Sequence, residues 1–169
     1  MSKTLDILLA IITILAIAFM VWNDDVIKVQ AGEHFKVVDG DSLEIGSRRI
    51  RLFGIDSPEY PQNCYDAKHK SYSCGIKAKH YMEKLVSAGR VECRQVEVDR
   101  YKRSLSVCYS DGKNINEEMV KAGWALAYRD GDGIYTRAEI DAKKHKRGVW
   151  QGKFMRPELY RFKKRRDNS

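Results

Sequence analysis

The chain has 169 residues, 43% of them hydrophobic, and carries 31 lysines and arginines against 23 aspartates and glutamates, a net charge of +8. That apolar content excludes a disordered chain, and once an apolar leader is set aside the length leaves about one ordinary domain. The positive balance makes a polyanion the default partner.

Residues 7–22 form an uncharged apolar run, preceded by Lys3 and followed by Asn23-Asp24-Asp25. The run is longer than most signal-peptide cores and shorter than the ~20 residues of a full span. Its flanking charges predict an amino terminus in the cytoplasm and the remainder across the membrane. Residues 1–23 are therefore expected to be an N-terminal signal anchor or signal peptide, with residues 24–32 as a linker. The nearest small-residue pair, Val29 and Ala31, lies far downstream for cleavage, which favours a retained transmembrane anchor.

A domain over residues 33–155 follows, and strands succeed one another through residue 55, with Leu43/Ile45 and Ile50/Leu52 alternating as half-buried antiparallel strands do. Asp39-Gly40-Asp41-Ser42 lies among them. Asp-Gly between extended apolar segments is a hairpin signal, and Gly40 is expected to supply a positive φ. The stretch Arg51-Leu52-Phe53-Gly54-Ile55-Asp56-Ser57-Pro58-Glu59 reads as a strand that Ser57-Pro58 stops, leaving polar groups at its mouth. Asp39, Asp41, Asp56 and Glu59 thus concentrate carboxylates in a basic chain. They can share a hard cation such as Ca²⁺ through oxygen, or serve as solvated turn residues.

Residues 61–73 read as a polar loop, and residues 76–88 as a helix with Ala78, Met82 and Leu85 on one face and Gly89 at its end. Strands resume at Val91 and Leu105, joined by a turn over residues 99–103. Asn114-Ile115-Asn116-Glu117 opens a short helix that Gly123 ends, and Thr136-Arg137-Ala138-Glu139 repeats that capping signature for a third helix, ended by Gly148. Five strands interleaved with three helices fit a small α+β domain of the OB-barrel type. The last stretch, residues 156–169, contains the basic run 161–166 and reads as a solvated tail.

The four cysteines, Cys64, Cys74, Cys93 and Cys108, follow the apolar segment, and their even number suits an oxidising compartment. A hairpin turning at residues 99–103 sets Cys93 and Cys108 across from each other, within disulfide reach. Cys64 and Cys74 then close a short loop. Zinc ligation is the rival use, but there is no Cys-x-x-Cys, and His34, His69, His80 and His145 lack ligand spacing.

Hydrolysing a phosphodiester requires something to polarise the phosphoryl oxygens, something to activate water, and donors for the charge that builds in the transition state. Asp41 and Asp56 can hold a cation, Glu59 can orient a water, and Arg51 can fork two donors onto phosphate. Arg103, at the start of a returning strand, is the candidate second arginine.

Through Val38-Asp39-Gly40-Asp41-Ser42, residues 51–59, Asp99-Arg100-Tyr101-Lys102-Arg103 and Ala122-Gly123-Trp124-Ala125, the chain resembles the staphylococcal nuclease (thermonuclease) family over roughly residues 34–152. The resemblance implies a five-stranded OB-fold β-barrel with three helices, acting as a monomeric Ca²⁺-dependent endonuclease on DNA and RNA. It implies Asp41 and Asp56 as carboxylate ligands of calcium, Ser57 as a ligand through its backbone carbonyl, and Asp39 as a supporting carboxylate. Glu59 becomes the general base, and Arg51 and Arg103 the phosphate donors. Cysteine placement is similar to that of the family's exported bacterial branch. Departures are Ser42 and Ser57 where threonines are usual, Lys102 in place of a glycine, and a distinct loop, Arg129-Asp130-Gly131-Asp132-Gly133, after Tyr128, a residue similar to a family tyrosine near the nucleotide pocket.

Two other functions fit parts of this pattern. One is a non-catalytic OB-type module binding nucleic acid or another polyanion, whose mark would be a lost carboxylate or arginine; none is lost. The other is a cell-envelope protein acting on anionic polysaccharide, because a fold does not dictate its substrate.

Overall fold

The computed structural model describes residues 3–23, 26–28, 35–128 and 133–168. Residues 129–132 of the distinct loop, and most of the expected linker with Val29 and Ala31, lie outside them. In chain order the elements are α1 (Lys3–Asn23), β1 (Val26–Lys28), β2 (Phe35–Val37), β3 (Ser42–Ile45), β4 (Arg48–Leu52), β5 (Ile55–Asp56), β6 (Cys64–Tyr65), β7 (Ser71–Tyr72) and α2 (Cys74–Ser87). There follow β8 (Val91–Val98), β9 (Ser104–Ser110), β10 (Lys113–Asn114), α3 (Ile115–Lys121), β11 (Leu126–Ala127), α4 (Thr136–Lys144), a 3₁₀ turn (Gly148–Gln151) and α5 (Pro157–Asp167).

Alternating burial builds the sheet: Leu43 and Ile45 of β3 and Ile50 and Leu52 of β4 point inward, each no more than 2% exposed. Seven strands pair in the order β1-β8-β9-β4-β3-β2, with β10 also on β9. Every pairing is antiparallel except β4 with β9. The described strands thus form a mixed seven-stranded sheet where five strands were expected, and its two end strands, β1 and β2, are joined through residues 29–34, which lie outside the described residues. Part of the expected linker is a strand: Val26–Lys28 pairs with β8 along its outer edge and buries Ile27.

Helices α2 and α3 cover the inner face. Ala78, Met82 and Val86 of α2 join Ile115, Met119 and Val120 of α3 in the core with the strand residues. Burying an aliphatic side chain of this size contributes about 1.5–3 kcal/mol, so this face carries much of the stability. Asn114 caps α3 by accepting the Glu117 N–H at 3.1 Å. At α4 the expected cap is displaced: Tyr135 precedes the helix, Thr136 is already inside it, and the helix stops at Lys144 rather than running to Gly148. Glu139 accepts instead from the Ala127 N–H at 3.2 Å, tying α4 to β11.

Both expected disulfides are present, Cys64–Cys74 and Cys93–Cys108, with Cα separations of 5.6 and 4.0 Å. The second depends on an irregularity. Near the turn Val98 pairs with Ser104, a register that continued unchanged would set Arg94 opposite Cys108. A β-bulge between Gln95 and Glu97 shifts the ladder by one residue and brings Cys93 there instead.

Five helices are described, the three expected in the domain, the expected N-terminal segment as α1, and α5. Helix α1 exposes its described side chains, residues 6–17. No described helix is long and apolar enough to cross a membrane. Helix α5 replaces the expected tail. Pro157 sits at its first turn, where a missing N–H costs nothing.

Candidate active site

Asp39, Gly40 and Asp41 bend the chain between β2 and β3, closed by a bond from the Val38 N–H to the Ser42 carbonyl at 2.9 Å. Gly40 serves closeness rather than the expected positive φ. A Cβ there would overlap Ser57 Oγ and lie 2.9 Å from the Ala78 side chain. Asp39 Oδ1 accepts the Asp41 N–H at 3.0 Å, the local bond that aspartate favours in turns.

Strand register supplies the next residue. Ser42 pairs with Arg51, and the Leu52 N–H bonds the Asp41 carbonyl at 2.8 Å, so Asp41 and Arg51 meet. Gly54, at a φ of +76°, then turns the chain into β5, where Asp56 pairs with Leu126. Arg51 spans the gap: Nη1 donates to Asp41 Oδ1 and Nη2 to Asp56 Oδ1, both at 2.8 Å. Both carboxylates are buried, with side chains 2% exposed. Asp41 Oδ2 accepts the Ser57 N–H at 2.9 Å, and the Ser57 hydroxyl donates to the Trp124 carbonyl at 2.9 Å. Asp39, Asp41, Arg51, Asp56, Ser57 and Glu59 are thus assembled as the sequence pattern expects.

Arg103 is not bonded to them. It stands at the entrance to β9 with Nε 2.8 Å and Nη2 2.7 Å from Asp99 Oδ2. Although burial opposes it, bonds from Arg103 and Tyr101 hold the Asp99 carboxyl below the usual range. The turn itself keeps the glycine-like shape: Lys102 has a φ of +61°, and its N–H bonds the Asp99 carbonyl at 2.9 Å.

Two functional positions escaped sequence reading. Arg161, within the expected solvated tail, enters the site from α5. Its Nη1 donates to Asp56 Oδ1 at 2.9 Å and Glu59 Oε1 at 2.8 Å, and its Nη2 to Asp56 Oδ2 at 3.0 Å. Inside a run of like charges nothing distinguished it from its neighbours. Gln62, fully buried, accepts the Glu59 N–H at 3.3 Å and donates to the Met155 carbonyl at 2.6 Å, fastening the Glu59 segment to the approach of α5. Only its short distance from Glu59 pointed to it.

The electrostatics follow from crowding. Burial, then the neighbouring Asp41 charge, pushes the Asp39 carboxyl up to about 7. Burial also raises Asp56, against the opposing pull of Arg161 and Arg51. For Arg51 and Arg161 burial works against the charge, but the carboxylates outweigh it and raise both. Four carboxyls face two guanidiniums here, so the site keeps a negative surplus even with Asp39 protonated. Among the described residues no three His, Cys, Asp or Glu side chains group as a metal cage. Asp41 and Asp56 nevertheless bring carboxylate oxygens together on Arg51, and oxygen is the donor a hard cation accepts.

Residues 49–152 match the family described as staphylococcal nuclease homologue. The chain belongs to the staphylococcal nuclease family. It is 36% identical over 122 residues to an uncharacterized endonuclease of Haemophilus influenzae, covering 68% of this chain and 63% of that protein. It is 35% identical over 119 residues to the succinoglycan biosynthesis protein ExoI of Rhizobium meliloti, covering 68% of this chain and 62% of that one. A micrococcal nuclease of Shigella flexneri is 30% identical over 136 residues, covering 70% of this chain and 72% of its own length. The first two relatives are thus matched over less than two thirds of their lengths.

Proposed function

We propose that this member of the staphylococcal nuclease family is a calcium-dependent endonuclease that hydrolyses phosphodiester bonds of DNA and RNA. The observation that carries the reading is the pair of buried carboxylates, Asp41 and Asp56, bridged by the one guanidinium of Arg51. Asp41, Asp56 and the Ser57 carbonyl would hold Ca²⁺, which supplies charge to polarise a phosphoryl oxygen. Glu59, partly exposed beside them, takes a proton from the attacking water, and its backbone bond to Gln62 sets its approach. Arg51, already at the carboxylates, presents donors to the charge that develops on phosphate. Arg103 joins it by releasing Asp99.

The test incubates the full-length protein with DNA and with RNA, in calcium or in a calcium chelator, beside Glu59→Gln. Cleavage lost in chelator and reduced at least a hundredfold in the variant supports the mechanism; cleavage indifferent to either refutes it. The name of the Rhizobium meliloti relative motivates a second reading, action on an acidic polysaccharide, and the same assay on such a polymer decides between them.

We place the domain outside the cytoplasm. Two disulfides and an apolar α1 that begins at Lys3 and exposes its described side chains support export. Mass spectrometry of cell fractions, with thiol labelling before and after reduction, tests this. Four labelled thiols in the native protein would overturn it.

A further inference from the structure

Helix α5 does more than deliver Arg161. Tyr160, Lys163, Lys164 and Asp167 recur at helical spacing and line one wall of a groove of about 710 Å³. Its other wall is the segment after Glu59, with Pro61 and Tyr65, and the approach to α5, with Lys153 and Phe154. Arg161 is turned by about 100° from Tyr160 around the helix, into the carboxylate site. The groove therefore leads away from that site along the same helix.

We propose that this groove binds one unpaired strand of nucleic acid beside the carboxylate site, a proposal that rests on the nuclease reading. Charge and ring faces select this occupant. Lys153, Lys163 and Lys164 are exposed and carry no ion pair among the described residues, and Asp167 is the one carboxylate of the lining. Tyr65, 48% exposed, and the half-buried Tyr160 and Phe154 supply aromatic faces between these cations. Lysines against phosphates with aromatic rings against bases is the chemistry of single-strand binding, and a duplex would keep its bases from the rings.

The walls are set in advance. Tyr65 and Lys153 exchange both backbone bonds, at 2.8 and 3.0 Å, and Gln62 holds the Met155 carbonyl. The Cys64–Cys74 bridge pins one wall to α2, while Arg161 pins the other to Asp56 and Glu59. A groove so braced binds without first ordering a loop, which lowers the entropic cost of association.

The test measures binding of a labelled single-stranded oligonucleotide to the full-length protein by fluorescence anisotropy, in chelator, so that cutting plays no part. Lys163→Gln/Lys164→Gln should weaken binding about tenfold and lower the slope of log affinity against log salt by about 1.4, the share of two single-strand phosphates. Tyr160→Ala should weaken it about fivefold or more and leave the slope alone. The control Lys84→Gln/Lys113→Gln removes the same charge from α2 and β10 and should lose less than about threefold. Losses in the groove variants no larger than in the control would overturn the proposal, as would a loss seen on anionic lipid vesicles and not on the oligonucleotide. Should Tyr160→Ala fail to fold, the exposed lysine pair still decides. A wild type that binds strands but never cuts them with calcium refutes the nuclease reading and leaves the groove intact. A wild type that cuts, with groove variants that bind like the control, refutes the groove alone.

Discussion

Arg161 and Asp56, 105 residues apart, are joined at two points, Nη1 to Oδ1 at 2.9 Å and Nη2 to Oδ2 at 3.0 Å. Both oxygens that Asp56 would offer a cation are thus engaged by a guanidinium. Arg161→Ala should therefore lower the stability of the calcium-free protein by about 1–3 kcal/mol in urea, because it leaves Asp56 buried on Arg51 alone. The same variant should bind calcium several-fold more tightly by calorimetry. Equal or weaker binding would show that the guanidinium and the cation do not compete.

Arg51 holds two carboxylates with two separate nitrogens, a geometry that a lysine ammonium cannot reproduce. Arg51→Lys should lose about a hundredfold or more in cleavage rate while retaining a folded domain by circular dichroism. A variant within about threefold of wild type would remove Arg51 from the reaction.

Lys102 holds a left-handed conformation that costs a non-glycine residue about 1–2 kcal/mol. Lys102→Gly should raise stability by about 1 kcal/mol and leave cleavage unchanged, since the turn that aims Arg103 is already formed. A fall in stability would mean that the ammonium contributes more than the conformation costs.

Asp39 gives the calcium-free protein a pH dependence of definite sign. Its carboxyl, raised to about 7 in the folded chain, binds a proton there more tightly than in the unfolded chain. The stability it contributes is complete below the unfolded pKa of about 4 and is lost as pH rises through about 7. Asp39→Asn, which keeps an acceptor for the Asp41 N–H, should be the more stable protein at pH 8 in chelator, with the difference closing towards pH 4. Urea melts across that range measure it, and parallel curves would contradict the shift.

The Cys93–Cys108 bridge closes a loop of 15 residues, and restricting the unfolded chain to that extent is worth about 3 kcal/mol. Cys93→Ala/Cys108→Ala should lose about that much in urea and keep its strand content, because the β8–β9 ladder is independently paired. Loss of less than about 1 kcal/mol would assign the bridge no stabilising role.

The calcium ligand candidates were legible in the chain because they sit in short segments whose chemistry is local. An Asp-Gly bend and a strand ending at Ser57-Pro58 each announce themselves through residue type and spacing, and antiparallel pairing of neighbours then brings Asp41 to Arg51. Both cysteine pairs were legible for the same reason, although the bulge that aligns Cys93 with Cys108 was not. Misread features share a dependence on distant partners. Val26–Lys28 is a strand through its pairing with β8, and the 3₁₀ turn opens where the Val149 N–H bonds the Gly123 carbonyl at 3.0 Å.

Residue type and short spacing by themselves therefore determined the carboxylate cluster, Arg51, the disulfide pairs and the family of the chain, since each rests on contacts between neighbouring elements. The tertiary structure alone decided that Val26–Lys28 joins the sheet on β8, that Arg103 is held by Asp99, and that Arg161 completes the site from 105 residues away. The physical reason is that a positive charge in a basic run has no sequence mark of its own. Docking of α5, through Gln62 and the groove wall, selects one arginine of the run to neutralise buried carboxylates and leaves nearby lysines facing solvent.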